Sequence, residues 1–192
     1  DQSLFHKVPG FADAYDPHIW FDVKLWQQTV MLISDTLRTY TLKSRNYFQS
    51  NATAYLKQLD SLHNWVYSEI ATIPEKQRVL ITAHDAFGYF GAAYHIEVRG
   101  LQGISTVSEF GLQDMTNLVN LITSRGIKAV FVESSVPRRS IEAVVAGCQE
   151  RGHKVAIGGT LYSDAMGKAG TPDGTYIGMV GANVRTIVSA LK

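Results

Sequence analysis

The chain has 192 residues, of which 45% are hydrophobic and 18% charged, values typical of a globular protein with a buried core. Its net charge is +1 and its basic residues are scattered, which argues against a nucleic-acid-binding surface. The single cysteine, Cys148, excludes an intrachain disulfide and a cysteine-rich zinc site, and no apolar run approaches the roughly 18 residues of a membrane span.

Two helices are predicted in the first part of the chain. The segment DPHIWFDVKLWQQTVMLISDTLRTY predicts a helix over about 17–39, with Asp16 as its N-cap and Pro17 in the first helical position. His18 would then lie in the first turn. Apolar residues at alternating spacings of four and three predict a long second helix over about 44–72, ended by a proline.

From residue 78 onwards, predicted strands and helices alternate. The strands are 79–83, 96–100, 128–133 and 154–159, and the helices are 85–94, 108–125, 138–151 and a last one from about 174. Asp85 is well placed for the N-terminal end of the first of these helices. Alternating strands and helices with apolar, β-branched strands predict an α/β fold, in which helices cover both faces of a parallel sheet.

Three polar residues are candidates for a functional site. His84 ends the first buried strand, at the edge of the sheet where open α/β folds bind ligands. Asp164 follows the last predicted strand in the loop TLYSDAMG, so its carboxylate can reach the same edge. His18 is the third candidate, although spacing alone does not bring it to the other two. The alternative interpretations are a structural histidine at His84 and a capped turn at Asp164.

Two imidazoles and one carboxylate would suit a divalent cation such as Zn²⁺ or Mn²⁺, with imidazole nitrogen favouring zinc. Glu133, at the end of the third strand, could be a fourth ligand or could orient one of the others. The orienting or structural role is preferred, because Ser134 and Ser135 beside it are typical of helix caps. The glycines match neither a P-loop nor a dinucleotide fingerprint, and no serine lies in a G-x-S-x-G elbow.

Six segments of the chain are recognisable: DPHIWFDVKLW, VLITAHDAFGYF, GLQGISTVSE, FVESSVP, IGGTLYSDAMG and GTYIGMV. In this order they closely resemble the zinc- and manganese-binding solute-binding proteins of bacterial ABC importers, the ZnuA/TroA-type family, with TroA-like members nearest. The resemblance runs along essentially the whole chain. It implies two (β/α) lobes joined by one long rigid helix, with the metal held between them. It also implies that His18, His84 and Asp164 are metal ligands; several manganese-type relatives carry Glu where this chain has His84.

The function that the resemblance implies is capture and release of Zn²⁺, Mn²⁺ or iron, with no reaction catalysed. The transported ion would be delivered to an ABC importer permease outside the cytoplasmic membrane, in the periplasm or at the cell surface. In the second case the chain would belong to a lipoprotein whose N-terminal lipid anchor is absent from this sequence. Two alternatives are a metal-dependent hydrolase with three ligands and an open position, and an isolated lobe that acts as a non-metal interaction module.

Members of this family are longer than this chain and begin with a lobe that carries another histidine ligand. We therefore expect residues 1–40 to be the end of the N-terminal lobe, with the rest of that lobe missing. Residues 41–74 would form the inter-lobe helix and residues 75–192 the C-terminal (β/α) lobe.

Overall fold

A computed structural model describes residues 2–8, 14–104 and 111–192. The helices are α1 (Val23–Tyr40), α2 (Arg45–Ala71), α3 (Gly88–Tyr94), α4 (Leu112–Arg125), α5 (Arg139–Glu150) and α6 (Tyr176–Leu191), and the strands are β1 (Val79–His84), β2 (Glu97–Gln102), β3 (Ala129–Glu133) and β4 (Ala156–Leu161). Within the described ranges, no helix combines the length and the hydrophobicity that a membrane crossing requires. The start of the helix predicted at about 108 lies outside the described residues.

The strands form two parallel pairs, β1 with β2 and β3 with β4. β1 and β3 lie beside each other in the middle of the fold. At their carboxyl ends, the backbone N–H of His84 donates to Oε1 of Glu133 over 2.8 Å. The carboxyl ends of the two inner strands therefore meet at one edge, as the sequence predicted for a parallel arrangement.

Helices cover both faces of these strands. Along β1, Leu80 packs into a hydrophobic cluster with residues of α2, α3 and α6, whereas Val79 and Ile81 pack into a second cluster with residues of α4 and α5. This division follows from the alternation of side chains along a strand, because both faces of β1 are apolar. The predicted α/β fold class is confirmed.

The longest described helix, α2, has 27 residues, which corresponds to a length of about 40 Å. It buries one face, and that face comprises Leu59, Leu62, Val66 and Ile70. These positions recur every three or four residues, as an amphipathic helix requires. The buried face contacts α1, α3 and α6, so α2 supports both the first helix and the strand–helix region that follows.

The first helix begins later than predicted. α1 starts at Val23, and its N-cap is Asp22, whose side chain accepts hydrogen bonds from the N–H groups of Lys24 and Leu25. The prediction that Asp16 is the N-cap is wrong, because its carboxylate bonds to the backbone N–H and the ring of His18 instead. Between Asp16 and Asp22 the chain makes only a short 3₁₀ turn at Ile19–Phe21.

Two other predicted caps are also wrong. α3 starts at Gly88 rather than at 85, and Asp85 does not cap it. α5 starts at Arg139 without a side-chain cap, and Ser135 bonds instead to Ser163 and Asp164. The side chain of Ser135 thus bonds to tertiary partners rather than to a helix N–H group.

We expect Leu59→Ala to lower the free energy of unfolding by about 2–5 kcal/mol, because Leu59 is fully buried where α2 faces the core. Lys57→Ala, at an exposed position on the same helix, is the matched control and should change it by no more than about 0.5 kcal/mol. Urea denaturation measures both values. Equal losses in the two variants would contradict the assignment of the buried face.

Candidate metal site

His18, His84 and Asp164 come from three separate parts of the chain and meet at one point. His84 is the last residue of β1, Asp164 lies in the loop after β4, and His18 precedes the short turn at Ile19–Phe21. One possible ligand atom from each of the three lies within 4.8 Å of the others. The structure thus brings His18 to the other two candidates, which spacing in the sequence did not establish.

The distances between these atoms suit a small tetrahedral ion. Nε2 of His18 is 3.3 Å from Oδ1 of Asp164, and Nε2 of His84 is 3.5 Å from Oδ2 of the same carboxylate. Two ligand atoms that each lie about 2.1 Å from a tetrahedral ion are about 3.4 Å apart. Each imidazole nitrogen therefore lies at about this separation from one oxygen of Asp164, with the two nitrogens facing different oxygens.

A buried carboxylate orients the ring of His84. Oε1 of Glu133 accepts from the His84 backbone N–H, and Oε2 lies 2.6 Å from Nδ1 of the ring, with both side chains fully buried. The angles between Oε2 of Glu133 and Nδ1 depart from those of an ideal hydrogen bond. The two atoms are nevertheless so close that a hydrogen must lie between them. Because a carboxylate only accepts, that hydrogen belongs to Nδ1. Nε2 of the neutral ring then keeps its lone pair, and it has no hydrogen-bond partner among the described residues.

His18 is oriented in the same way by Asp16. Oδ1 of Asp16 accepts from the His18 backbone N–H over 2.9 Å and lies 2.6 Å from Nδ1 of the ring. Asp16 is itself fixed, since its carbonyl accepts from the Tyr89 hydroxyl and its N–H donates to the carbonyl of His6. Both histidines therefore present Nε2 to the site, each with a carboxylate behind it.

The loop that carries Asp164 is held by side chains from distant parts of the chain. Asn183 of α6 accepts from the N–H of Tyr162 and donates to its carbonyl, over 2.9 and 2.8 Å. The indole N–H of Trp20 donates to the carbonyl of Ser163 over 3.1 Å. Asp164 nevertheless remains the accessible member of the site, with 36% of its side chain exposed against 4% for His18.

Carboxylates dominate the electrostatics around the two rings. Burial alone lowers the pKa of His84, but the hydrogen bond and charge of Glu133, with the charges of Asp164 and Asp85, outweigh burial and raise this pKa above its ordinary value. Burial and the charge of Asp16 raise the pKa of Asp85. Several acidic groups around two imidazoles create a local potential that attracts a cation.

Sequence reasoning missed Asp16, Trp20 and Ser135 as supports of the site. Asp16 and Ser135 were assigned to helix caps, and Trp20 was not assigned to the site. The one available signal was position, since Asp16 and Trp20 each lie two residues from His18. Glu133 lies in the orienting position that the sequence analysis preferred, with both carboxylate oxygens directed at His84.

Comparison with known proteins gives a consistent result. The family described as zinc-uptake complex component A, periplasmic (ZnuA), matches residues 2–190. The manganese-binding lipoprotein MntA of Bacillus subtilis (strain 168) is 52% identical over 183 residues, which are 95% of this chain and 60% of that protein. The zinc-binding protein TroA of Treponema pallidum (strain Nichols) is 49% identical over 177 residues, 92% of this chain and 58% of that protein.

The solved structure of the periplasmic zinc-binding protein TroA from Treponema pallidum superposes with a TM-score of 0.91 at 47% identity. It covers 96% of this chain, and this chain covers 67% of it. The chain thus spans about 60% of the length of the curated relatives that it matches.

We expect Glu133→Gln to lower the pKa of His84 relative to the wild-type chain. The amide removes a negative charge that favours the protonated ring, while burial still disfavours it. An NMR pH titration of the His84 ring in metal-free protein measures this shift. Glu142→Gln, at an exposed position paired with Arg138, is the control and should leave the titration of His84 unchanged. An unaltered pKa in Glu133→Gln would contradict the orienting role of Glu133.

Proposed function

The chain belongs to the ZnuA family of periplasmic zinc-uptake components, and we propose that it binds a divalent transition-metal ion, Zn²⁺ or Mn²⁺ with iron as a third candidate, for delivery to an ABC importer permease. The observation that carries this proposal is the convergence of two buried imidazoles and one carboxylate, His18, His84 and Asp164, whose possible ligand atoms lie within 4.8 Å of one another. The names of MntA and TroA, one a manganese-binding lipoprotein and the other a zinc-binding protein, support the class of cargo and a location outside the cytoplasm.

Capture in this site is ligand exchange. Nε2 of His18, Nε2 of His84 and the carboxylate of Asp164 would replace waters of the ion, which leaves one position of a tetrahedron for a further ligand. The imidazoles bind metal only in their neutral form, so protons compete with the ion and affinity falls in acid. Since Nδ1 of each ring faces a carboxylate, the rings do not have to reorient when the ion arrives.

The same contacts disfavour the hydrolase alternative. A general base must be free to take a proton from a metal-bound water. Both oxygens of Glu133 are directed at His84, and Oδ1 of Asp16 is engaged by His18, so these carboxylates support the ligands. An interaction module without metal would not need two buried histidines with free Nε2 atoms.

We also propose the division of the chain into the end of a first lobe (1–40), an inter-lobe helix (41–74) and a second lobe (75–192). The exposed side of α1 supports this division, because an apolar helix surface of this kind is typical of a protein–protein or inter-domain contact. That surface comprises Met31, Leu32, Ile33 and Leu37.

Calorimetric titration of the metal-free chain with Zn²⁺ tests the proposed site. We expect one ion per chain, with binding weakened at least about tenfold in His18→Ala, which removes a direct ligand, and in Asp164→Asn, which replaces a charged ligand by a neutral amide. The control is His95→Asn, at an exposed histidine whose left-handed backbone conformation asparagine tolerates. Unchanged affinity in both site variants would refute the assignment of these ligands.

Metal preference should depend on the residue at 84. A nitrogen-rich site favours Zn²⁺ over Mn²⁺ by ligand softness and by the Irving–Williams order, whereas a carboxylate is a hard oxygen ligand. We therefore expect His84→Glu to lower the Zn²⁺/Mn²⁺ affinity ratio and His84→Ala to weaken both metals.

Competition titrations measure these affinities. Because a new carboxylate at 84 would face the buried Glu133, His84→Glu is best made together with Glu133→Gln and compared with Glu133→Gln alone. Equal affinities in His84→Ala and the wild-type chain would exclude His84 as a ligand.

A further inference from the structure

Ser135 makes a contact that coordination of an ion does not itself require. Its Oγ lies 3.2 Å from Oδ2 of Asp164 and 2.6 Å from Oγ of the buried Ser163. A carboxylate can only accept, so Ser135 donates its one hydrogen to Asp164, and Ser163 must donate to Ser135. The two hydroxyls thus form a hydrogen-bond chain with a fixed direction, which ends on one oxygen of the ligand.

The two oxygens of Asp164 are consequently unequal. Oδ1 faces Nε2 of His18, and no hydroxyl of the described residues donates to it. Oδ2 faces Nε2 of His84 but already accepts from Ser135. The hydrogen bond that Ser163 donates to Ser135 polarises the Ser135 hydroxyl and so strengthens its bond to Oδ2. Oδ1 is therefore the better electron donor to an ion, and the orientation of the carboxylate plane is fixed.

We propose that Ser135 is a positioning residue that keeps Asp164 a one-oxygen ligand and so favours Zn²⁺ over Mn²⁺ in this site. The inference rests on the proposed function and concerns its specificity. Zn²⁺ in a four-coordinate site needs one oxygen from the carboxylate, whereas Mn²⁺ prefers a larger number of hard oxygen ligands. Withholding Oδ2 removes an oxygen that Mn²⁺ would use and Zn²⁺ would not.

Its place in the fold explains how Ser135 can serve this role. It follows Glu133 by two residues, directly beyond the carboxyl end of β3. The same strand end therefore supports two ligands, with Glu133 behind His84 and Ser135 behind Asp164. A change in the path of the chain at the end of β3 would therefore alter the support of both ligands.

The test compares three variants with the wild-type chain. Ser135→Ala removes the hydroxyl, Ser135→Thr retains it, and Ser134→Ala changes a neighbouring exposed serine whose hydroxyl has no hydrogen-bond partner among the described residues. Competition titrations should give a Zn²⁺/Mn²⁺ affinity ratio about tenfold lower in Ser135→Ala, with the ratio retained in Ser135→Thr and Ser134→Ala. Thermal melting of each variant verifies that the fold is kept.

A second readout reports the coordination number directly. Co²⁺ in a four-coordinate site absorbs visible light strongly, and this absorption weakens when further oxygens bind. We expect the Co²⁺ band of Ser135→Ala to be weaker than that of the wild-type chain, and that of Ser135→Thr to be unchanged.

An unaltered affinity ratio with an unaltered Co²⁺ spectrum in Ser135→Ala would overturn the role of Ser135 while leaving metal binding in place. Failure of the wild-type chain itself to bind Zn²⁺, Mn²⁺ and Co²⁺ would instead overturn the proposed function, and the inference with it.

Discussion

The site depends on the contact between Glu133 and His84. A carboxylate that is fully buried is unfavourable unless hydrogen-bond donors satisfy it, and here the backbone N–H and Nδ1 of the ring of His84 face its two oxygens. The parallel arrangement makes this contact available, because β1 and β3 end side by side. One structural requirement, the satisfaction of a buried carboxylate by hydrogen-bond donors, thereby also fixes which nitrogen of His84 is left free.

The arrangement of strands and helices was predictable from the sequence, because the periodicity of apolar residues reports burial directly. His84 was found by the same argument, since it ends a strand that is buried along its whole length. The helix starts were not predictable at Asp16, Asp85 and Ser135. Each of these side chains is short and polar, so the residue types that cap helices are also those that bond to a neighbouring ring, hydroxyl or carboxylate.

The position of His18 shows a second limit of sequence reasoning. Its location relative to β1 is set by contacts of Asp16 with Tyr89 and with His18 itself. These contacts follow no periodic pattern of residues in the sequence. Only the resemblance of the DPHIW segment to a known family joined His18 to the other two residues. The loop of Asp164 poses the same difficulty, because Asn183 and Trp20 hold it from opposite ends of the chain. Contacts between distant segments of this kind are fixed by the tertiary structure and leave no local pattern.

The unequal exposure of the three residues imposes an order on exchange. The two imidazoles lie on the inner side, and the carboxylate of Asp164 is the part that solvent reaches. Among the described residues, an ion would therefore meet the carboxylate of Asp164 before the two imidazoles. Displacement of this one side chain would leave two imidazole nitrogens as the possible ligands among the three residues. Such a change needs the movement of a single loop, and the strands and helices behind it could remain rigid.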